Sequence, residues 1–215
     1  MITNKNCIIR LSRYKNSLHR LKSLGFVKVF SDNLADAIGV TSEQVRKDFS
    51  LFGIIGNKRG GYTVEALIEK LNTILGKDRV QNVIVSGLGN IGTALTKYRG
   101  FEKEGIKIMA AFEVDSTKYD RKTVIPVLHI DEMPEYIRKN EIKIGIIAVP
   151  DIAAQQVADL MIGAGIRGIL NFAPIRLRCP EDVVINNVNL ELELESVIYF
   201  VNTLNVPGAV LPKQE

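Results

Sequence analysis

The clearest chemical signal in the chain is a group of glycines that follows an apolar, β-branched run at 80–86. A helical pattern begins directly after the group, and this context makes a glycine motif informative. Glycines here permit a tight turn, a close approach of backbone to a pyrophosphate and close packing of helix on sheet. The spacing is G-x-G-x-x-G, and the predicted dinucleotide contacts are Gly87, Gly89, Asn90, Ile91 and Gly92.

An acidic residue follows the next β-branched run. Asp115 lies 23 residues after Gly92, about where an acid hydrogen-bonds the adenosine ribose in a dinucleotide-binding fold. A carboxylate there repels a 2′-phosphate, so Asp115 favours NAD over NADP, although Lys118 nearby weakens the argument. A solvated loop position for Asp115 is the alternative interpretation.

The segments after the later predicted strands carry few groups that could move a proton. His19 lies in a basic helical stretch and His129 in a Pro-rich crossover segment, so neither is a good candidate. Apolar and amide residues can enclose a nicotinamide ring but cannot exchange a proton with it. We therefore predict no catalytic residue and a chain that senses NADH or NAD. The remaining predicted cofactor contacts are Tyr98, Val149, Pro150, Phe172, Ala173 and Pro174.

The first third of the chain shows three helical patterns, over 8–24, 31–38 and 42–52, with Gly25 and Gly39 placed to end the first two. Two short helices joined by a tight turn are typical of a helix-turn-helix. The pattern therefore predicts a small helical domain with a recognition helix over 42–52.

The recognition helix has a capping-box pattern at its start, since Gln44 lies three residues after Thr41. Its apolar residues Val45, Phe49 and Phe52 share one face, which leaves basic and amide side chains on the other. Such side chains suit contacts with phosphates and base edges, although a solvated charged face is the alternative. With one residue of the first helix added, the predicted DNA contacts are Arg10, Gln44, Arg46, Lys47 and Ser50.

Residues 52–63 contain two short β-prone runs around a glycine-rich tip that carries Lys58 and Arg59. This pattern is typical of the wing of a winged-helix domain, and a basic tip suits a narrow, electronegative minor groove. A further helical pattern covers 64–75. We therefore predict a winged-helix DNA-binding domain over 1–77.

Charge is distributed unevenly between the two parts of the chain. Residues 1–77 contain 13 Lys and Arg against 6 Asp and Glu, a net charge of +7, whereas the remaining 15 basic and 18 acidic residues give −3. A basic segment is the electrostatic footprint of nucleic-acid binding, because each phosphate contact releases condensed counterions. A basic helical domain with another role would have the same charge.

Beyond residue 78 short apolar runs alternate with helical stretches, which predicts an α/β Rossmann domain with a doubly wound parallel sheet over 78–189. A helix from Leu190 to about Asn205 is apolar around much of its circumference, so we expect it to pack on its own domain or on a second subunit. It forms a third segment, 190–215. The predicted strands are 80–86, 106–114, 144–149, 168–172 and 183–185.

Composition argues against several other classes of protein. No basic segment followed by an apolar stretch opens the chain, and no window reaches about 18 uninterrupted apolar residues, so we expect neither secretion nor contact with a membrane. Cys7 and Cys179 have no metal-ligand spacing, which argues against a disulfide framework and a zinc site. A cytoplasmic location is the expectation.

Together these features resemble the Rex family of bacterial redox-sensing repressors over nearly the whole chain. The resemblance implies a homodimer, with the C-terminal helix domain-swapped between subunits, that binds a palindromic, A·T-rich operator when NADH/NAD⁺ is low and releases it when NADH binds. It places Arg46, Lys47, Lys58 and Arg59 on DNA, and Asn90, Ile91, Asp115, Phe172 and Pro174 on the dinucleotide. The segments that carry it are 40–49, the wing ending at Gly61-Tyr62, 87–92, 98–101 and 168–174.

Two positions differ from the family pattern. Asn16 and Asn189 stand where the family usually has an arginine and an aspartate, a pair expected to link the DNA-binding domain to the partner subunit. With both side chains neutral, no ion pair can form between them, and we expect the conformational coupling between the cofactor site and the DNA-binding domain to be weaker or differently built. An NAD-dependent oxidoreductase with an accessory N-terminal domain, and a CoA- or nucleotide-binding module of similar topology, stay open as alternatives.

Overall fold

The computed structural model describes residues 4–57 and 59–203 of the chain. These residues form two compact units that adjoin in sequence at Arg79 and Val80. The boundary predicted from sequence, after Lys77, lies two residues earlier. Each unit has its own hydrophobic core.

The described part of the N-terminal unit contains four helices and a two-stranded antiparallel sheet. Tyr14 of the first helix packs edge-on against Phe49 of the third, with ring centroids 5.3 Å apart, and both side chains are fully buried. The predicted helical patterns are confirmed to within a few residues at each end. The elements are α1 (Lys5–Ser23), β1 (Lys28–Val29), α2 (Ser31–Ile38), α3 (Ser42–Leu51), β2 (Tyr62–Thr63) and α4 (Val64–Ile74).

The wing differs in detail from its prediction. Of the two β-prone runs, only the second forms a strand, and this strand, β2, pairs with β1, which sequence patterning missed. The tip is closed by a single antiparallel bridge between Asn57 and Gly61. Gly61 has a φ of 62°, and a Cβ at this position would collide with the carbonyl oxygen of Val29. A glycine is therefore required where the wing returns to the sheet.

The second unit contains a six-stranded parallel sheet in the order β5-β4-β3-β6-β7-β8. This is the strand order of a Rossmann fold, with a switch point between the first and fourth strands of the domain, β3 and β6. The predicted fold class is thus confirmed. The strands are β3 (Gln81–Ser86), β4 (Ile106–Glu113), β5 (Val127–His129), β6 (Ile144–Ile147), β7 (Gly168–Asn171) and β8 (Val184–Asn187).

Helices and apolar side chains cover both faces of this sheet. One cluster contains Ile84, Phe112 and Ile147, and a second contains Val83, Val85 and Ile146, so alternate residues of the strands serve opposite faces. Strand β5, only three residues long, was missed by the sequence analysis. The covering helices are α5 (Asn90–Lys97), α6 (Gly100–Lys103), α7 (Met133–Lys139) and α8 (Asp151–Ala164).

The last described helix, α9 (Leu190–Thr203), contains no buried residue among those described. Leu192, Leu194 and Tyr199 are each at least 60% exposed. The predicted exchange of this helix between subunits remains a prediction, and its predicted end near Asn205 lies outside the described residues.

Candidate functional site

A crevice opens at the carboxyl ends of β3, β4, β6 and β7, with a cavity volume of about 620 Å³. Ligands in open α/β sheets bind at this edge, where neighbouring strands connect in opposite directions. The volume lies within the roughly 300–1,000 Å³ of typical small-molecule sites. Of the predicted glycine-motif contacts, those lining the cavity are Gly87, Gly89, Asn90 and Ile91.

The three glycines of the motif occupy different environments. Gly87 has a φ of 91°, and a Cβ there would lie 2.6 Å from the carbonyl oxygen of Ala148. A Cβ on buried Gly92 would collide with the carbonyl oxygen of Gly87, so Gly92 permits helix α5 to approach the turn although it does not line the cavity. Gly89 has no neighbour within 4 Å of a hypothetical Cβ. Its open side leaves room for a ligand against the backbone.

Helix α5 begins at Asn90 with no side-chain hydrogen bond at its N-cap, Gly89. The first N–H groups of a helix have no partner within the helix, and the helix dipole adds positive potential there. This amide-rich turn beside an open glycine fits a pyrophosphate.

Glu113, which the sequence analysis missed, closes the end of β4 against the glycine turn. Its Oε2 accepts the backbone N–H of Leu88 at 2.8 Å, and its Oε1 accepts those of Val114 at 2.8 Å and Asp115 at 3.2 Å. Burial raises the pKa of the carboxyl, but these hydrogen bonds and the charge of Lys118 outweigh it, so the pKa lies below its usual range. Glu113 is therefore a fixed carboxylate in the cavity wall. Its position at the end of the second Rossmann strand was the available sequence signal.

Asp115 lies just beyond this carboxylate and is not among the cavity-lining residues. Its Oδ1 accepts hydrogen bonds from the backbone N–H of Thr117 at 3.0 Å and the hydroxyl of Thr117 at 2.7 Å. Lys118 does line the cavity, and its Nζ lies 3.4 Å from Glu113 Oε2 and 3.9 Å from Asp115 Oδ2. One lysine thus faces two carboxylates at this end of the crevice.

Apart from the glycine turn, the wall of the cavity is mostly apolar and includes Phe112, Ile130 and Val157. Ser86, at the end of β3, contributes the one buried side-chain oxygen of the described residues that has no hydrogen-bond partner. A buried hydroxyl without a partner costs free energy that a ligand or water can recover. The cavity therefore combines apolar walls, the unpaired hydroxyl of Ser86 and the amide-rich turn, and this combination fits a nucleotide.

Only some of the residues predicted to enclose the nicotinamide ring, called the ring-site residues below, line the cavity. Ala173 is buried behind the surface, where its N–H donates to Asn171 Oδ1 at 3.0 Å. Tyr98 is 60% exposed, with its ring edge-on against Phe101 at 5.0 Å, and neither Tyr98 nor Ala173 lines the cavity. The ring-site residues that do line it are Val149, Pro150, Phe172 and Pro174.

The recognition helix of the N-terminal unit presents Arg46, Lys47 and Ser50 to solvent. Arg59 is exposed at the tip of the wing, where Asn57 Oδ1 accepts the backbone N–H of Arg59 at 2.9 Å and so shapes the turn. The neighbouring predicted contact, Lys58, lies outside the described residues. Both elements expected to contact DNA therefore carry exposed cations.

Two other predicted DNA contacts are held by Asp48, a buried residue of α3 that the sequence analysis did not single out. Arg10 donates to Asp48 through Nε to Oδ2 at 2.6 Å and through Nη2 to Oδ1 at 2.7 Å, and Gln44 Nε2 donates to Oδ1 at 2.7 Å. Tyr14 adds a hydrogen bond from its hydroxyl at 3.0 Å. Burial raises the pKa of the Asp48 carboxyl, but these hydrogen bonds and the charge of Arg10 lower it by more. The pKa of Asp48 therefore lies below its usual value.

The capping box predicted for α3 is half formed. Thr41 Oγ1 accepts the backbone N–H of Gln44 at 3.1 Å, as predicted. The amide of Gln44, however, turns toward Asp48 instead of back to Thr41. A hydrogen bond to a carboxylate is stronger than one to a neutral group, which explains the choice.

The described residues contain no cluster of His, Cys, Asp or Glu that could hold a metal ion. Over the same residues no helix has the length and apolar character needed to cross a membrane.

Comparison with protein families gives two matches. A model of CoA-binding domains matches residues 78–175, and a model of the N-terminus of putative DNA-binding proteins matches residues 5–50. The first covers most of the Rossmann unit and the second covers α1 to most of α3.

Similar proteins cover nearly the whole chain. The redox-sensing transcriptional repressor Rex of Carboxydothermus hydrogenoformans is 43% identical over 193 residues, 89% of this chain and 93% of the relative. Its counterpart in Streptococcus agalactiae serotype Ia is 39% identical over 196 residues, 90% and 93% of the two chains.

Solved structures of RSP, a Rex-family repressor 36% identical to this chain, have the same fold. The complex of RSP with β-NAD⁺ and operator DNA gives a TM-score of 0.89 over 94% of each chain. Its complex with β-NADH gives 0.83 over 94% of this chain and 95% of RSP. With relatives at this identity over both units, the chain belongs to the Rex family of redox-sensing transcriptional repressors.

Proposed function

We propose that this chain represses transcription by binding a palindromic, A·T-rich operator while NADH is scarce relative to NAD⁺, and that NADH in the crevice releases it. One observation carries the proposal: a single chain combines an exposed basic recognition helix with a Rossmann crevice shaped for a dinucleotide. The complexes of RSP with operator DNA and with β-NADH support the same pairing of ligands.

DNA binding falls to the N-terminal unit. Arg46 and Lys47 on α3 and Arg59 on the wing are exposed cations, and Ser50 adds a hydroxyl beside them. In winged-helix proteins the recognition helix enters the major groove and basic wing tips suit the minor groove. We include Lys58 in the wing contact. Arg10 acts through Asp48, because its guanidinium is already paired.

Cofactor binding falls to the crevice, with the pyrophosphate on the turn at Gly87–Gly89 and the nicotinamide near Pro150, Phe172 and Pro174. A neutral dihydronicotinamide loses less solvation on entering an apolar site than a cationic nicotinamide does. This difference favours NADH over NAD⁺. A bound dinucleotide supplies the redox signal, and the residues of the chain only bind and orient it.

Discrimination against NADPH falls to the acidic end of the crevice. Glu113 is fixed in the wall and Asp115 lies two residues on, so a 2′-phosphate would meet two carboxylates. Lys118 neutralises part of this charge. We therefore propose that NADPH binds more weakly than NADH, with Glu113 and Asp115 both contributing.

Dimerisation falls to the C-terminal segment 190–215. The exposed leucines of α9 form apolar surface that is unfavourable in water. A second copy of the chain, with α9 exchanged between the two subunits, would bury this surface. Asn189 accepts the backbone N–H groups of Glu191 at 3.0 Å and Leu192 at 3.2 Å, so it caps α9. Because Asn16 and Asn189 are neutral, we expect coupling in the lower half of the typical range of about 1–3 kcal/mol, roughly 5–150-fold in affinity.

We also propose that the protein acts in the cytoplasm as a regulator without turnover. Glu113, the fixed carboxylate of the cavity, is held ionised by backbone donors and is poorly suited to proton transfer. Steady, substrate-dependent consumption of NADH would instead support the oxidoreductase alternative.

The test is an operator-selection gel shift at fixed salt, repeated with NADH, NAD⁺, NADPH and CoA, because salt alone changes DNA affinity by orders of magnitude. We expect NADH to weaken operator binding strongly, NAD⁺ much less, and NADPH and CoA hardly at all. Asp115→Ala and Glu113→Gln should each reduce the difference between NADH and NADPH in how strongly they weaken operator binding. Equal release by NAD⁺ and NADH at saturation would refute the redox mechanism.

A matched pair of variants tests whether the exposed face of α3 contacts DNA. Lys47→Ala, on the exposed face of α3, should abolish specific binding, whereas Lys70→Ala, exposed on α4, should leave it within a few-fold. Both variants should bind NADH like the parent chain, as measured by NADH fluorescence.

A further inference from the structure

The orientation of the Gln44 amide follows from its surroundings. Its Nε2 donates to Asp48 Oδ1 at 2.7 Å. Arg10 contributes two N–H donors to the same carboxylate, and Tyr14 contributes its hydroxyl. Every neighbour that bonds Asp48 through nitrogen or oxygen is a donor, so the carboxylate is ionised and only accepts.

This orientation cannot be reversed without a loss. Turning the amide of Gln44 by 180° would place Oε1 against Asp48 Oδ1, and two acceptors cannot form a hydrogen bond. The carboxylate side chain is only 1% exposed, so water cannot restore the missing donor. Asp48 therefore engages one of the two Nε2 hydrogens of Gln44 and fixes which end of the amide carries the carbonyl, so that Oε1 lies on the side away from the carboxylate. Among the described residues, no hydrogen bond to Gln44 Oε1 is found.

Gln44 is well placed to use that oxygen on DNA. It is the third residue of α3 and is partly exposed, one turn before Lys47 and Asp48. In helix-turn-helix proteins the first residues of the recognition helix contact base edges in the major groove. Adenine and cytosine present an exocyclic amino donor there, whereas guanine and thymine present carbonyl acceptors.

We infer that Gln44 determines specificity at one base of each operator half-site by accepting a hydrogen bond from an exocyclic amino group through Oε1, and that Asp48 sets this polarity. The inference deepens the proposed function and rests on it. Guanine or thymine at that position would oppose a carbonyl oxygen to Oε1. Asp48 is a positioning residue in this arrangement, and Arg10 and Tyr14 hold it in turn.

The experiment measures the affinity of the full chain for the selected operator and for duplexes changed at one base at a time. Each adenine or cytosine of a half-site is replaced by its analogue without the amino group, purine or 2-pyrimidinone, and each base pair is also substituted. At one position, loss of the amino group should weaken binding about tenfold. In Gln44→Ala that position should lose its preference while the others keep theirs.

Asp48→Asn tests the positioning role. An asparagine offers both an acceptor and donors, so either end of the Gln44 amide can face it. The preference for an amino base over a carbonyl base at the Gln44 position should narrow, while preferences elsewhere persist. Thermal unfolding checks that the variant is folded, and Gln44→Ala decides the inference if it is not.

The outcomes separate this inference from the proposed function. If the parent chain selects no operator, the proposed function fails and the inference falls with it. If it binds a specific operator but Gln44→Ala leaves every base preference intact, only the inference is overturned. A Gln44-dependent preference for guanine or thymine on the contacted strand would overturn it too.

Discussion

Glu113 and Leu88 join the end of β4 to the glycine turn after β3, because the carboxylate of Glu113 accepts the backbone N–H of Leu88 at 2.8 Å. The two residues are 25 positions apart in the chain. The contact fixes the turn that we assign to the pyrophosphate, so the crevice is organised before any ligand enters. Preorganisation of this kind lowers the ordering cost of binding.

Replacing Glu113 with Gln should therefore weaken NADH binding about tenfold, since an amide has one acceptor oxygen where the carboxylate has two and hydrogen bonds to a charged group are worth about 1.5–3 kcal/mol. NADH fluorescence titration measures the effect. Glu102→Gln, at an exposed position of α6, is the matched control and should bind NADH normally. An unchanged affinity in folded Glu113→Gln would show that the contact does not organise the site.

Gly89→Ala should retain the fold but lose the dinucleotide. A Cβ at Gly89 meets nothing within 4 Å, so the protein tolerates it, yet the methyl group would occupy the space left for a ligand at the backbone. We expect at least a tenfold loss of NADH affinity with little change in the melting temperature.

Gly163→Ala is the control for the same substitution in helix α8, where a Cβ is also unobstructed. It should bind NADH normally and be slightly more stable, because alanine favours a helix interior. Normal NADH binding by Gly89→Ala would place the pyrophosphate elsewhere.

Deleting the residues after Asn189 should yield a largely monomeric or aggregating protein. The deletion removes α9, whose exposed Leu192, Leu194 and Tyr199 are the surface that we assign to the second subunit. Light scattering coupled to size-exclusion chromatography measures the mass. An intact dimer after the deletion would rule out the exchanged helix.

Asp48→Asn should destabilise the protein at neutral pH by about 3 kcal/mol, the scale of breaking a buried ion pair. The folded-state pKa of Asp48 lies below its ordinary value. Its stabilisation is therefore fully present above the unfolded-state pKa of about 3.9 and is lost as the pH falls through the folded-state pKa.

Urea unfolding from pH 7 to pH 3 measures this dependence. The difference in free energy of unfolding between the parent chain and Asp48→Asn should shrink below about pH 4. Asp36→Asn, exposed on α2, should follow the parent at every pH. A constant difference for Asp48→Asn would show that the ionised carboxylate is not the source of the stability.

Local patterns in the sequence determined much of this molecule. The bounds of α2 agree with prediction at both ends, and the glycine motif lies between a strand and a helix as expected. These features depend on caps, periodicity and backbone freedom within a few residues of one another. The alternation of β-branched runs with helical stretches was enough to predict the parallel sheet.

Tertiary structure alone decided which side chains meet. Arg10 and Asp48 are 38 positions apart, and their pairing gives a predicted DNA contact an internal partner on the recognition helix that no local pattern indicated. Glu113 looked like an ordinary strand residue until the end of β4 was placed beside the glycine turn, and the short strands β1 and β5 exist only because distant partners pair with them. A charge or a backbone N–H has no preferred partner until packing brings one within about 3 Å in a place that water cannot reach. Periodicity in a sequence carries no information about that distance.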